Sequence, residues 1–184
     1  MIKSFKICVA IDNQGGFAKD NQIPWNIPED FKHFINTTRH SWCITGKNSY
    51  LEMVEMKKNR LGDKYDPEAP ILKDRITFVV SSTLEAEGPA DAVLIRPDEI
   101  EKLITTLDEM EEERDVFILG GQQLYEDMLD RVDTIIVTLI PHDFNCDRFF
   151  PTNRFDEFTQ TDEWFMPTEQ YGDEHISVRV LERK

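Results

Sequence analysis

No stretch of this 184-residue chain approaches the roughly 20 consecutive apolar residues of a membrane-spanning helix. Cysteine is sparse: Cys8, Cys43 and Cys146 are far apart, form no CxxC pair and have no paired histidines beside them. They predict reduced thiols in a cytoplasmic protein and no metal site. The N-terminal Met1-Ile2-Lys3-Ser4-Phe5 runs straight into a strand-like pattern, so no leader peptide is expected. Cations are outnumbered, 21 Lys and Arg against 36 Asp and Glu, and the net charge of −15 argues against general affinity for nucleic acid or an anionic membrane. Part of that surplus, the acidic run from Asp108 to Glu113, reads as a solvated helix end. GxSxG is missing, and His33, His40, His142 and His175 stand in polar contexts that predict surface histidines, so nucleophilic catalysis has little support. GxGxxG, the fingerprint of the standard dinucleotide fold, is also missing.

What is present is an ordinary globular composition, 40% hydrophobic and 31% charged, with no repeat, low-complexity tract or Gly/Ser-rich linker. The length suits one domain, expected to span residues 1–184. Strand and helix patterns alternate, which predicts an α/β fold with a central, mostly parallel twisted sheet and about four flanking helices. Strands are expected over 5–11, 42–45, 76–80, 93–95, 116–119 and 134–139, and helices over 28–39, from 46, 100–110 and 122–129. Residues 57–73, polar and broken by Gly62, Pro67 and Pro70, read as an excursion. Extended segments near 155–159 and 175–181 predict an antiparallel C-terminal edge.

One segment stands out chemically. In Ile23-Pro24-Trp25-Asn26-Ile27-Pro28-Glu29-Asp30-Phe31, two prolines fix the backbone around a tryptophan, and Pro28 suits a first helical position. Asp30 then falls in the first turn of a helix whose Phe31, Phe34 and Ile35 recur at helical spacing. Alone, such a carboxylate could merely complement the helix dipole. Aimed at apolar ground it needs a partner, and Thr138, at the end of an apolar strand, is the candidate. Gly46-Lys47-Asn48-Ser49 and Gly120-Gly121 each open a helix directly after a strand, where free N–H groups and the helix dipole can hold phosphate. Each junction could equally be a simple cap or tight turn; two in one small sheet could clamp the halves of a dinucleotide.

In their order and spacing these segments resemble the dihydrofolate reductase family over most of the chain. The resemblance is carried by Val9-Ala10-Ile11-Asp12, the Pro-Trp-x-x-Pro-x-Asp segment ending at Asp30, and Thr45-Gly46-Lys47-Asn48-Ser49-Tyr50. It continues through Arg75 before a strand ending in Ser81-Ser82, Leu119-Gly120-Gly121-Gln122-Gln123-Leu124-Tyr125, Thr138, and Asp147-Arg148-Phe149-Phe150-Pro151. The resemblance implies NADPH-dependent reduction of 7,8-dihydrofolate to tetrahydrofolate, in support of one-carbon and thymidylate metabolism. Asp30 is then the anchor of the pterin, Trp25 the orderer of a water beside it and Thr138 the hydroxyl that fixes the carboxylate. Val9, Ala10, Ile11, Phe31, Phe34, Met53, Leu72, Leu119 and Tyr125 are implied as substrate contacts, and Arg75 as the clamp for the glutamate carboxylate. For NADPH the implied contacts are Ala10, Phe17, Ala18 and Ile23 along a mobile lid from Gly15 to Ile23, then Gly46, Lys47, Asn48 and Ser49. They continue with Ser81, Ser82 and Arg96, and with Gly120, Gly121, Gln122, Gln123 and Leu124; Lys47, Ser82 and Arg96 favour a 2′-phosphate. The implied protein is a monomer with a small-molecule substrate.

The sequence departs from the family pattern at several points. Ala18 and Cys146 stand where glycine is usual, Asp74 precedes Arg75 where glycine is usual, Lys47 replaces a frequent arginine, and residues 54–72 are longer than common. Two alternatives remain open at this level. One is a pyrimidine reductase of riboflavin synthesis, which has no use for the Trp25 and Asp30 pair. The other is a structural protein that keeps a folate or nucleotide pocket without turnover.

Overall fold

The computed structural model describes residues 1–83 and 92–184. In chain order the elements begin with β1 (Ile2–Ile11), β2 (Gly16–Ala18), α1 (Pro28–Thr37), β3 (Trp42–Gly46) and α2 (Lys47–Leu61). They continue with β4 (Ile76–Val80), β5 (Ala92–Ile95), α3 (Ile100–Asp108), β6 (Arg114–Ile118) and α4 (Gln122–Met128). The last are β7 (Thr134–Leu139), β8 (Arg148–Phe149), β9 (Phe158–Thr168) and β10 (Gly172–Arg183).

Eight strands form one sheet in the order β5-β4-β3-β6-β1-β7-β10-β9. The first six pair in parallel and the β9–β10 hairpin adds an antiparallel edge. The expected α/β fold is therefore the observed one. The inner strands are apolar on both faces, as parallel strands covered by helices must be: Ile7, Trp42, Ile44, Val116, Ile118 and Ile135 have no measurable exposure. The chain passes from β1 to β3, moves outward to β5, then returns to insert β6 between β3 and β1. That reversal creates a crevice outside the carboxyl ends of β1, β3 and β6, where open α/β sheets bind ligands.

Three expectations need correction. Helix α2 runs to Leu61, so the excursion begins at Gly62 rather than at 57. Only Tyr50 and Val54 of α2 are buried, so most of the helix is solvated and polar and its periodicity is masked; Lys58 and Arg60 suit its last turn, and Gly62 ends it at φ +54°. Residues 152–157 form a 3₁₀ turn and the strand begins only at Phe158, because Arg154 folds back onto Glu157 three residues on. The segment expected as a mobile lid is also partly strand: Gly16–Ala18 pairs with Arg148–Phe149 in a separate two-stranded ribbon.

That ribbon explains one of the departures. A Cβ on Gly16 would lie 2.2 Å from the Cβ of Cys146, so a glycine at 16 accommodates the larger residue at 146. Asp74 likewise holds a left-handed backbone at φ +63°, where glycine is the easier residue. We expect Gly16→Ala to destabilise the protein by about 1–3 kcal/mol through overpacking. Adding Cys146→Gly should recover most of that loss in urea titrations, since the colliding atoms are then gone.

Candidate active site

Helix α1 carries Asp30 over the carboxyl end of the sheet. Pro28 starts the helix, Glu29 and Asp30 fill its first turn, and none of its residues is fully buried although one face is apolar. That apolar face is therefore only partly covered by the rest of the fold. The Thr138 hydroxyl donates to Asp30 Oδ1 at 2.8 Å, joining α1 to β7, and Thr138 itself is buried. The expected pair is present. Burial raises the Asp30 pKa above its ordinary value, opposed by the Thr138 hydrogen bond and by the charge of His33.

Around this carboxylate the strand alternation sorts the predicted contacts. Ala10 shares a cluster with Trp25 and Ile27, whereas Val9 and Ile11 point into the opposite core with Leu124, Tyr125 and Phe150. Of that triplet only Ala10 turns its side chain toward the Trp25 layer. Cys8, two residues earlier, is the strand residue that faces Asp30, and burial first and Asp30 second push its thiol strongly upward. Sequence reasoning passed over Cys8, although a period of two from Ala10 points to it. Trp25 is buried edge-on against Phe144 with ring centroids 5.2 Å apart. Phe34 bridges the cluster of Cys8, Cys43 and Phe117 to that of Tyr50, Val54 and Leu72, with Met53 and Leu119 beside it. Phe31 lies under Arg60, 4.8 Å from the ring centre.

Arg75 sits at the far end of α1, buried, with Nε donating to Thr38 Oγ1 at 2.9 Å. Its two terminal nitrogens reach the carbonyls of Lys73 and Ile35. Three of its five donors are thus committed, among the described residues, to holding the guanidinium in place.

The two strand–helix junctions meet across neighbouring strands. Gly46 N–H donates to Gly120 O at 2.6 Å, and Thr45 Oγ1 donates to the same carbonyl at 3.2 Å. The Gly120–Gly121 peptide is cis and Gly120 has φ +105°. A Cβ on Gly120 would come within 3.1 Å of the Tyr125 hydroxyl, and one on Gly121 within 3.2 Å of Ser49 Oγ, so a side chain at either position would crowd its neighbour, and the φ of Gly120 itself favours glycine. The first residues of α2 and α4 thereby open side by side. Asn48 and Gln123 are exposed there, and the side chain of Gln122 accepts from Phe149 N at 3.0 Å. Further along the same edge Lys47 Nζ donates to Thr83 Oγ1 at 3.0 Å, next to Ser81 and exposed Ser82. Ser81 N donates to Ile95 O at 2.9 Å, which brings exposed Arg96 alongside.

The segment expected as a lid, residues 15–23, runs beside this region. Phe17 stacks edge-on against Tyr125 at 5.4 Å, Ala18 is fully buried in β2, and Ile23 remains 39% exposed. Ala18 has no positive φ, so this lid conformation does not require glycine there. Asp147 Oδ2 accepts from Asp20 N at 3.0 Å, and Arg148 reaches both Asn21 Oδ1 and Glu52 of α2, the latter at 3.6 Å. At its base, Asp12 Oδ1 accepts from the backbone of Gly16 at 2.8 Å and Gln14 at 2.9 Å, and Oδ2 accepts from Phe144 at 3.1 Å. Burial acts to raise the Asp12 pKa, but these three N–H donors outweigh it and hold the carboxyl below its ordinary value. No group of His, Cys, Asp and Glu suited to a metal ion occurs among the described residues, nor any helix long and apolar enough to cross a membrane.

A half-buried carboxylate bordered by apolar side chains, with two strand–helix junctions that meet across neighbouring strands, forms the candidate site of this α/β domain. The sequence model "Dihydrofolate reductase" matches residues 4–62 and 64–183. The chain belongs to the dihydrofolate reductase family. It is 30% identical to a dihydrofolate reductase of Drosophila melanogaster, over 80% of this chain and 79% of that one. It is also 30% identical to a protein of Mycoplasma pneumoniae named segregation and condensation protein A, where the match covers 73% of this chain but 23% of that longer protein. A solved structure of Enterococcus faecalis dihydrofolate reductase complexed with NADP(H) and RAB-propyl superposes with TM-score 0.79 at 20% identity, covering 98% of this chain and 96% of that one.

The Asp12 linkage has a definite sign. A carboxyl whose folded pKa is lowered stabilises the fold above the unfolded value of about 3.9, and that contribution is lost as pH falls through the lowered folded value. Urea titrations should therefore show the parent losing its advantage over Asp12→Asn as pH drops from 7 to 3. A constant difference at every pH would contradict this role.

Proposed function

We propose that this protein reduces 7,8-dihydrofolate to 5,6,7,8-tetrahydrofolate with NADPH. The observation that carries the reading is Asp30, a half-buried carboxylate fixed by Thr138 and bordered by apolar side chains. Its two oxygens suit an amidine-like edge that offers two parallel N–H donors, as a pterin does, because Oδ1 keeps a second lone pair beside the Thr138 bond. Asp30 anchors and polarises that ring, while Thr138 keeps the carboxylate from rotating away. Trp25 shapes the wall beside it and orders the water that delivers the N5 proton. Phe31, Phe34, Met53 and Leu72 hold the aromatic body of the substrate out of water, and the two remaining donors of Arg75 receive its carboxylate.

The glycine cradles at 46 and 120–121 and the adjoining helix starts fit a pyrophosphate, because backbone N–H groups can approach closely where no Cβ intervenes. Lys47, Ser81, Ser82 and Arg96 fit a further phosphate at the ends of β3, β4 and β5. NADPH bound there supplies the hydride for C6 of the substrate. Holding the two ligands in register in a dry groove is the protein's own share of the catalysis. Local cations are needed because the chain as a whole, at −15, repels both anions. The reading also places the protein in the cytoplasm, acting as a monomer in one-carbon metabolism.

NADPH oxidation at 340 nm should be dihydrofolate-dependent, and Asp30→Asn should slow it by about 10²–10⁴-fold at pH 7. Absence of turnover in the parent, or an unimpaired variant, overturns the assignment; tight folate binding without turnover would instead favour a binding protein.

A further inference from the structure

His33, expected at the surface, is half-buried. Its Nε2 is sealed from solvent with no hydrogen-bond partner among the described residues. Nδ1 lies 3.4 Å from the Thr37 hydroxyl, and the ring meets Trp164 of β9 edge-on at 5.9 Å between centroids. These contacts hold the imidazole in place. Asp30 lies three residues earlier on the same helix, and side chains at that spacing have Cβ atoms about 5–6 Å apart. A sealed ring nitrogen and a half-buried carboxylate, each costly alone, therefore occupy adjacent positions.

We propose that His33 is a positioning residue for the reaction, its imidazole setting how readily Asp30 remains ionised in the groove. The proposal rests on the reading of Asp30 as the ligand's anchor and goes beyond it. Burial holds the His33 pKa below its ordinary value, and the charge of Asp30 pulls it back up; the reciprocal pull acts on Asp30. Few other charges intervene. On α1, Glu29 is the remaining acid of the same turn; its Oε1 accepts from the backbone N–H of Glu169, and its Oε2 is sealed without a partner. From β1 the titratable group is the Cys8 thiol, kept neutral by burial. From β9 the neighbour is the uncharged Trp164 ring, and the side chains of Lys32 and Glu169 are exposed.

The coupling has a direction. As pH falls, a proton on His33 favours the Asp30 carboxylate and postpones its neutralisation. Without the imidazole, Asp30 takes up its proton at a higher pH. By linkage, removing the Asp30 charge must lower the His33 pKa by the same interaction. A cationic ligand edge seated on Asp30 acts in the same sense and drives His33 toward its neutral form.

The test has two independent arms. In the first, the His33 Cε1–H resonance is titrated in the parent protein and in Asp30→Asn. The imidazole proton affinity should fall by at least about threefold in the variant, and an unchanged titration overturns the proposal. This arm needs no turnover, so it decides the role of His33 even if the reductase reading fails. In the second, the pH profile of kcat/KM for dihydrofolate is compared between the parent and His33→Gln. The acid limb should move to higher pH; a loss equal at every pH would mark a merely structural residue and overturn the proposal.

Discussion

The site is organised by one hydrogen bond, from the Thr138 hydroxyl to Asp30. A carboxylate that burial pushes toward its neutral form must be held by something if it is to meet a ligand as a charge. Thr138 provides that hold because β7 lies next to β1 in register, with Thr138 opposite Ala10, beneath the start of α1. The sheet register and the helix entry angle set by Pro24 and Pro28 are thus parts of a single constraint. Moving either by one residue would turn Thr138 or Asp30 to the wrong face. In the proposed reaction the proton demand falls on the same few residues: Asp30 as anchor, Trp25 as neighbour and His33 one turn away.

The second ligand depends on a different constraint, the absence of side chains. Gly46 and Gly120 come close enough for a backbone hydrogen bond between two strand ends, and at Gly120 a Cβ would press on the Tyr125 and Ser49 hydroxyls. Two helices therefore begin side by side without a GxGxxG motif. The same edge gathers Lys47, Ser81, Ser82 and Arg96 from three consecutive parallel strands. In a chain with so much negative charge, a local cationic edge of this kind is what lets an anionic cofactor approach at all.

Much of this was legible in the sequence, for physical reasons that differ from place to place. The inner strands and α3 declare themselves by periodicity, and Pro28 with Asp30 announces the start of α1. Pairing of Asp30 with Thr138 could be anticipated because a hydroxyl at the end of an apolar strand and a carboxylate on an apolar helix each lack a local partner. The second half of α2 is illegible in the sequence because a solvated polar helix carries little hydrophobic signal. Val9 and Ile11 were grouped with Ala10 although strand alternation separates their side chains, and Cys8 was passed over for the same reason. The β2–β8 ribbon joins residues about 130 apart through backbone contacts and so leaves no pattern in either segment. His33 looked like a surface residue because its burial comes from Trp164, on a strand far away in sequence.

The central claim is that Asp30 meets its ligand as a carboxylate, paired with an amidine-like edge that offers two N–H donors, so that a ligand with a basic ring nitrogen at that edge is bound protonated. The most direct measurement is the ring ¹³C resonance of a 2,4-diaminopyrimidine labelled at C2, bound to the parent protein and to Asp30→Asn above the pH at which the free ligand loses its proton. The account predicts a protonated ring on the parent and a neutral ring on the variant. A neutral ring on the parent, or the same protonated ring on both, would contradict it.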